Sequence, residues 1–260
     1  MDPFLTIVIP AYNESARLEG TLDRVLSFID QFTWDVELIV VNDGSADDTA
    51  EIVQRYASKR ENVRLLENPG NQGKGYSVRH GILKARGTVI LFTDADLSAP
   101  IEEAPKLLAA LENGADIAIG SRWIRAELQT QRQSLARQVL GRAFNQFLRV
   151  LLRLDFKDTQ CGFKAFRRNA ARAIFPLQRI EGWGFDAEIL FLARRLGCKV
   201  AEVPVLWGHD ERTRISPLAD GTRMLAEMMQ IRWNALTGVY GNRARARSSG
   251  VLQQGEHPRT

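Results

Sequence analysis

Two carboxylates, Asp94 and Asp96, stand one residue apart at the end of the apolar run Val89-Ile90-Leu91-Phe92-Thr93. Alternate residues of an extended chain point the same way, so both can face one site. Like charges that close repel unless a cation neutralises them. Mg²⁺ or Mn²⁺ suits such oxygen ligands, and Mg²⁺ takes one or two carboxylates plus substrate phosphates. In open α/β sheets, ligands bind beyond the carboxyl ends of the strands, where these aspartates lie. The same spacing also serves solvated turns and helix caps, so the neighbouring segments must decide.

Two earlier segments repeat the scheme. Leu5-Thr6-Ile7-Val8-Ile9-Pro10 is a short apolar strand followed by Ala11-Tyr12-Asn13-Glu14-Ser15 and a helical pattern. Val36-Glu37-Leu38-Ile39-Val40-Val41 ends in Asn42-Asp43-Gly44-Ser45, before a helix with Asp47 and Asp48 at its start. Three strands thus end in polar loops able to converge on one crevice. Taken as isolated residues, Tyr12, Glu14 and Asp43 also suit ordinary loops and caps. In order, Ile-Pro-Ala-Tyr-Asn-Glu, Val-Asn-Asp-Gly-Ser and Asp-Ala-Asp resemble the family 2 inverting glycosyltransferases of GT-A fold over roughly the first 120 residues.

The elements that must carry these loops follow from the pattern. Helices are expected over Thr49–Ser58, Tyr76–Ala85 and near Glu102–Glu112, with strands near Val63–Leu66 and Asp116–Gly120. The alternation predicts an α/β fold with a parallel sheet covered on both faces, and the resemblance implies its GT-A form: a Rossmann-like, mostly parallel sheet with flanking helices and a C-terminal amphipathic helical part. Residues 1–240 are expected to form one GT-A domain, with a nucleotide-sugar half to 120 and an acceptor half from 121, and 241–260 a disordered tail. The loop Gly73-Lys74-Gly75 precedes a helix and can serve an anion, or be a plain turn. It lacks the P-loop spacing, and no G-x-G-x-x-G is present, which disfavours a nucleoside-triphosphate hydrolase or a dehydrogenase.

The chain's 260 residues, with ordinary apolar and charged fractions, fit one domain with a substantial core. Cys161 and Cys198 make no disulfide framework or metal spacing, which points to a reducing compartment. The N-terminus runs straight into a strand, and no apolar run approaches the roughly 20 residues that span a bilayer. The net charge of +4 is carried largely by arginine.

Arginines concentrate at Arg122, Arg125, Arg132, Arg137, Arg142, Arg149 and Arg153, against one acid, Glu127. Ser134–Leu154 reads as a helix with an apolar face and an arginine flank, suited to a lipid headgroup boundary or to a phosphate. The other interpretation is an amphipathic core helix with a solvated rim.

Lys157-Asp158-Thr159-Gln160-Cys161-Gly162-Phe163-Lys164, Gly182-Trp183-Gly184-Phe185-Asp186-Ala187-Glu188 and Val203-Pro204-Val205-Leu206-Trp207 resemble the dolichyl- or polyprenyl-phosphate β-glucosyltransferase branch. Coverage then reaches about residue 240. Eukaryotic glucosyl enzymes of that branch carry an N-terminal membrane anchor, which this sequence does not show. The resemblance implies transfer of a hexose from UDP-glucose to a polyprenyl phosphate with inversion, by a peripheral enzyme at the cytoplasmic face of the membrane, with no nucleic-acid partner. It implies Mg²⁺ or Mn²⁺ held by Asp96 with Asp94 assisting, and a nucleotide-sugar pocket of Pro10, Tyr12, Glu14, Asp43, Lys74, Asp94, Ala95 and Asp96. Asp43 is to take the uracil N–H. Arg122 and Arg137 are to clamp phosphates, Arg214 with Ser216 is to close from a C-terminal loop, and Asp158 is to orient acceptor or sugar and is the candidate catalytic carboxylate. Three other functions fit parts of the pattern: a family 2 transferase acting on a soluble or cell-wall saccharide, a nucleotidyltransferase, and a non-catalytic lipid-surface module. On the bland interpretation Asp158 and Thr159 form a turn and cap, Asp186 and Glu188 are helix-start acids, and Cys161 is a small buried hydrophobe.

Overall fold

The computed structural model describes residues 2–124, 146, 148–208 and 219–241. Seven strands form one sheet in the order β3-β2-β1-β4-β6-β5-β7. They are β1 Leu5–Ala11, β2 Val36–Asn42, β3 Val63–Glu67, β4 Val89–Thr93, β5 Ile117–Ser121, β6 Phe163–Arg167 and β7 Val200–Pro204. Six pairings hold it together; β6 alone runs antiparallel, between β4 and β5. Because it is reversed, the start of β6 lies at the same edge as the ends of β1, β2, β4, β5 and β7. Thr93 at the end of β4 pairs with Phe163 at the start of β6, and Ser121 of β5 pairs with Pro204 of β7.

Strand alternation sorts the core into two layers. Leu5, Ile7, Ile9, Leu38, Val40 and Leu91 face helices α1 Ser15–Ile29, α2 Thr49–Ala57 and α4 Ala104–Glu112. Val8, Ile39, Val41, Ile90 and Phe92 face α3 Lys74–Lys84, α5 Arg168–Ile174, α6 Phe185–Leu196 and α7 Ala219–Leu236. A sheet covered on both faces explains why the strands read as continuous apolar runs rather than alternating ones. Each fully buried Leu, Ile or Phe contributes roughly 1.5–3 kcal/mol.

The expected helices and strands are present, with shifted ends. Helix α3 begins at Lys74, two residues before the expected start, because Glu181 O accepts the amides of Gly75 and Tyr76 and caps the first turn. The segment from Ile101 opens as a 3-10 turn before α4, where Pro105 occupies the first helical turn. Of the expected Ser134–Leu154 helix, 148–152 is helical and the rest falls almost wholly outside the described residues, as does the 241–260 tail beyond Gly241. No helix among the described residues is long and apolar enough to cross a membrane.

Candidate active site

Four loops build the crevice above the sheet edge. After β1, Asn13 adopts φ 52° and knits the first two loops together: its N–H donates to Ser45 Oγ, and its Oδ1 accepts the Ala46 amide. Tyr12 beside it is 40% exposed. Glu14 pairs with Arg17 at 2.7 Å, and its N–H donates to Thr49 Oγ1. Pro10 is a pairing residue of β1 opposite Val41.

Asp43, at the end of β2, is buried. Its Oδ1 accepts Asn68 Nδ2 at 2.7 Å and the Gln72 amide at 3.0 Å, and its Oδ2 accepts the Gly73 amide at 2.8 Å. The carboxylate therefore shapes the 68–73 loop that delivers Lys74. Gly73 sits at φ 101°, and a Cβ there would stand 2.5 Å from Glu181 O, so glycine is required. Since Glu181 O occupies the first α3 amides, the loop offers a lysine ammonium rather than a phosphate cradle.

Asp94 and Asp96 follow β4 directly. Lys74 Nζ lies 2.6 Å from Asp94 Oδ1, and its charge sits over the rings of Trp183 (5.0 Å) and Phe92 (5.5 Å). Burial disfavours the Lys74 cation, but the Asp94 and Asp186 charges outweigh it and raise its pKa. Burial and the Asp96 charge raise the Asp94 carboxyl, although Lys74 opposes them. Asp96 is exposed, and its Oδ1 accepts the Ser98 amide in a turn completed by Leu97 at φ 46°. Ala95 is buried, and its carbonyl accepts Thr21 Oγ1 from α1, which fixes the turn to the scaffold. Gly162, from the start of β6, lies so close to Asp94 that a Cβ would meet its carboxylate at 2.0 Å.

Across the crevice, Arg122 follows β5 and is held by buried Asp158. Arg122 Nε reaches Oδ2 at 2.7 Å, Nη2 reaches Oδ1 at 2.8 Å, and the Arg122 amide donates to Oδ2. The guanidinium also lies 5.7 Å from the Trp123 ring centroid and 5.5 Å from that of Trp207. Burial pushes the Asp158 carboxyl up, yet Arg122 and the amides bring it below the ordinary value; Asp158 raises the Arg122 pKa further. Both carboxylate oxygens of Asp158 are thus committed to Arg122, and its basicity is lowered.

Three residues absent from the expected set complete the frame. Glu202 of β7 accepts the Ser121 hydroxyl and the Lys157 and Asp158 amides, so it sets the turn that aims Asp158. Lys164 of β6 is fully buried and donates to Asp186 and to the Cys161 carbonyl. A lysine inside Phe163-Lys164-Ala165-Phe166 was the available signal, since a buried cation demands a buried partner. Glu188 takes the Arg179 and Ile180 amides and orders the segment that caps α3. Burial pushes the Cys161 thiol up to about 12, so it is inert packing. Arg137, Arg214 and Ser216 lie outside the described residues.

The fold and these loops are those of a GT-A glycosyltransferase. Residues 6–175 match the model of glycosyl transferase family 2, and the chain belongs to that family. It is 40% identical over 242 residues to a dolichyl-phosphate beta-glucosyltransferase of Trichomonas vaginalis, covering 88% of this chain and 70% of the relative. The enzyme of the same name from Homo sapiens is 34% identical, covering 91% of this chain and 77% of its own. Among solved structures, glucosyl-3-phosphoglycerate synthase of Mycobacterium tuberculosis with Mn²⁺ and UDP-glucose superposes with a TM-score of 0.61 at 22% identity, covering 87% and 77% of the two chains. Mannosyl-3-phosphoglycerate synthase of Rubrobacter xylanophilus gives 0.65 at 18% identity, covering 98% and 78%. Both share the fold.

Proposed function

We propose that this glycosyltransferase moves glucose from UDP-glucose to a dolichyl-type polyprenyl phosphate, inverting the anomeric centre, at the cytoplasmic face of a membrane. The relatives at 34–40% identity carry that acceptor and sugar in their names. The observation that carries the proposal is the opposition of two charge sets at one sheet edge: Asp94, Asp96 and Lys74 on one side, the Asp158-held Arg122 on the other. A donor diphosphate needs the first set and an acceptor phosphate suits the second, because arginine matches phosphate oxygens in a fork. Asp43 accepts three donors of roughly four lone-pair sites, which leaves capacity for the uracil N–H.

The residues fit Mg²⁺ or Mn²⁺. Among the described residues no three potential ligands gather into a self-sufficient metal cage. A carboxylate pair suits an ion whose remaining positions are filled by phosphate oxygens and water. Asp96, exposed, would hold the ion, and Asp94, shared with Lys74, would assist. Bound there, the ion supplies charge neutralisation for the departing diphosphate. Lys74 adds a fixed positive charge aimed at the same developing charge. An anionic lipid phosphate is its own nucleophile, so direct displacement needs no strong base.

Radiolabelled UDP-glucose and dolichyl phosphate test the proposal. Label should pass into the lipid extract, and Asp96→Asn should lower the rate by about 10²-fold, the size expected for loss of one charge stabiliser. An undiminished rate in Asp96→Asn, or label taken up from GDP-mannose and not UDP-glucose, would overturn it.

A further inference from the structure

The two oxygens of the Asp43 carboxylate are not equivalent. Oδ1 takes two donors, Asn68 Nδ2 at 2.7 Å and the Gln72 amide at 3.0 Å, whereas Oδ2 takes one, the Gly73 amide. A carboxylate oxygen has about two lone-pair sites. Oδ1 is therefore filled, and the spare capacity lies on Oδ2. Asn68 makes that difference. Without its Nδ2, each oxygen would hold a single backbone amide and neither would be singled out.

Asn68 is itself held from several sides. It is 7% exposed, its N–H donates to Asn42 O, and its own carbonyl accepts the Gly70 amide. Its Nδ2 also donates to Ser77 Oγ at 2.9 Å, while the Ser77 hydroxyl donates to Gly73 O. Because a carboxylate only accepts, the amide nitrogen must face Asp43 and Oδ1 must face the other way. There it meets His80 Nδ1 at 2.8 Å. Ser77 and His80 are three residues apart on α3, so one face of that helix grips both the nitrogen and the oxygen of the amide. Burial and the Lys84 charge lower the His80 pKa, so the ring is neutral at pH 7 and has one N–H. The Asn68 oxygen opposite requires that proton on Nδ1.

A buried network with every member paired holds one arrangement. We propose that Asn68, locked by His80, positions Asp43 so that Oδ2 is the oxygen offered to the donor's base, and that this pair thereby sets the preference for a base with an imino N–H. Uracil carries such a donor at N3. Neutral cytosine presents a lone pair there, which a carboxylate oxygen repels. UDP and CDP share ribose and diphosphate, so the ratio of their affinities isolates the base contact. The proposal rests on the UDP-glucose donor proposed above.

The test uses the full chain. Calorimetric titration of UDP and of CDP, each with Mn²⁺, gives the ratio of their dissociation constants in wild type, Asn68→Ala and His80→Phe. His80→Phe keeps a ring and removes the Nδ1–H at a half-buried position, so it should fold even where Asn68→Ala is weakened. The preference for UDP should fall about tenfold in Asn68→Ala, the scale of one hydrogen bond to a charged group. It should fall in His80→Phe too, and the double variant should be no worse than Asn68→Ala alone. Partial unfolding would remove sites for both nucleotides alike and leave the ratio where it was. In wild type, ¹⁵N NMR should find His80 protonated at Nδ1. A wild-type ratio in either variant, or a His80 protonated only at Nε2, would overturn the proposal. If wild type prefers CDP or GDP, the UDP reading fails; the ratio of that nucleotide to UDP then judges the positioning role by the same rule.

Discussion

Asp158, the candidate catalytic carboxylate, is engaged with Arg122, so its role turns on whether it acts through that arginine. Asp158 is buried and bidentate to a guanidinium, which leaves its lowered basicity of little use for proton removal. The pair's stability is present at neutral pH, above the carboxyl's unfolded pKa. It is lost only as pH falls through the lowered folded value. Asp158→Asn keeps the shape and removes the charge, stranding a largely buried cation. The expected cost is roughly 3–5 kcal/mol of stability, checked by urea unfolding at pH 7. Activity separates the roles. If Asp158 works through Arg122, then Asp158→Asn and Arg122→Lys should each lower kcat/KM, and the double variant should be no worse than the poorer single one. Additive losses would mean that Asp158 acts independently of the arginine.

At the scale of elements, the loops after β1 and β2 are joined through side chains that cap. Asp47 accepts the Ser15 amide that opens α1, and the Thr49 amide and hydroxyl at the start of α2. Despite the desolvation that opposes it, these bonds lower its pKa to about 2. A depressed carboxyl stabilises above its unfolded value, near 3.8, and loses that contribution as pH falls towards 2. Asp47→Ala should therefore cost about 1 kcal/mol at pH 7, as lost caps do. In thermal melts at pH 7, 4 and 2 the gap from wild type should close at the lowest pH; a constant gap would assign the effect to packing instead. Such capping acids were visible in the sequence as Asp47-Asp48 before a helix, and strands β1, β2 and β4 were visible as apolar runs. The start of α3 was not, because a carbonyl over 100 residues away supplies its cap. Nor was Glu202, whose partners lie at the end of β5 and in the loop before β6 and leave no local pattern.

For the molecule as a whole, one reversed strand decides what the crevice contains. Because β6 is antiparallel between β4 and β5, Asp158 and Gly162 join Asp94, Arg122 and Trp207 at a single edge. The alternation of helix and strand revealed a mostly parallel sheet and the loops that follow β1, β2 and β4. It did not reveal the reversal, because periodicity carries no strand direction. A site assembled from so many loops should be stiffened by the ligand that bridges them. UDP with Mn²⁺ would contact the β1, β2 and β4 loops together, and a ligand at a hundred times its dissociation constant adds about 2.7 kcal/mol to stability. For a chain of this size each kcal/mol corresponds to about 2–4 °C, so the melting temperature should rise by about 5–10 °C. Asp43→Ala should abolish most of that rise by releasing the 68–73 loop and with it the proposed base contact. GDP with Mn²⁺ should give little shift, since the larger purine must enter a pocket closed by a buried carboxylate. A larger shift with GDP than with UDP would reverse the donor assignment while leaving the family and the fold intact.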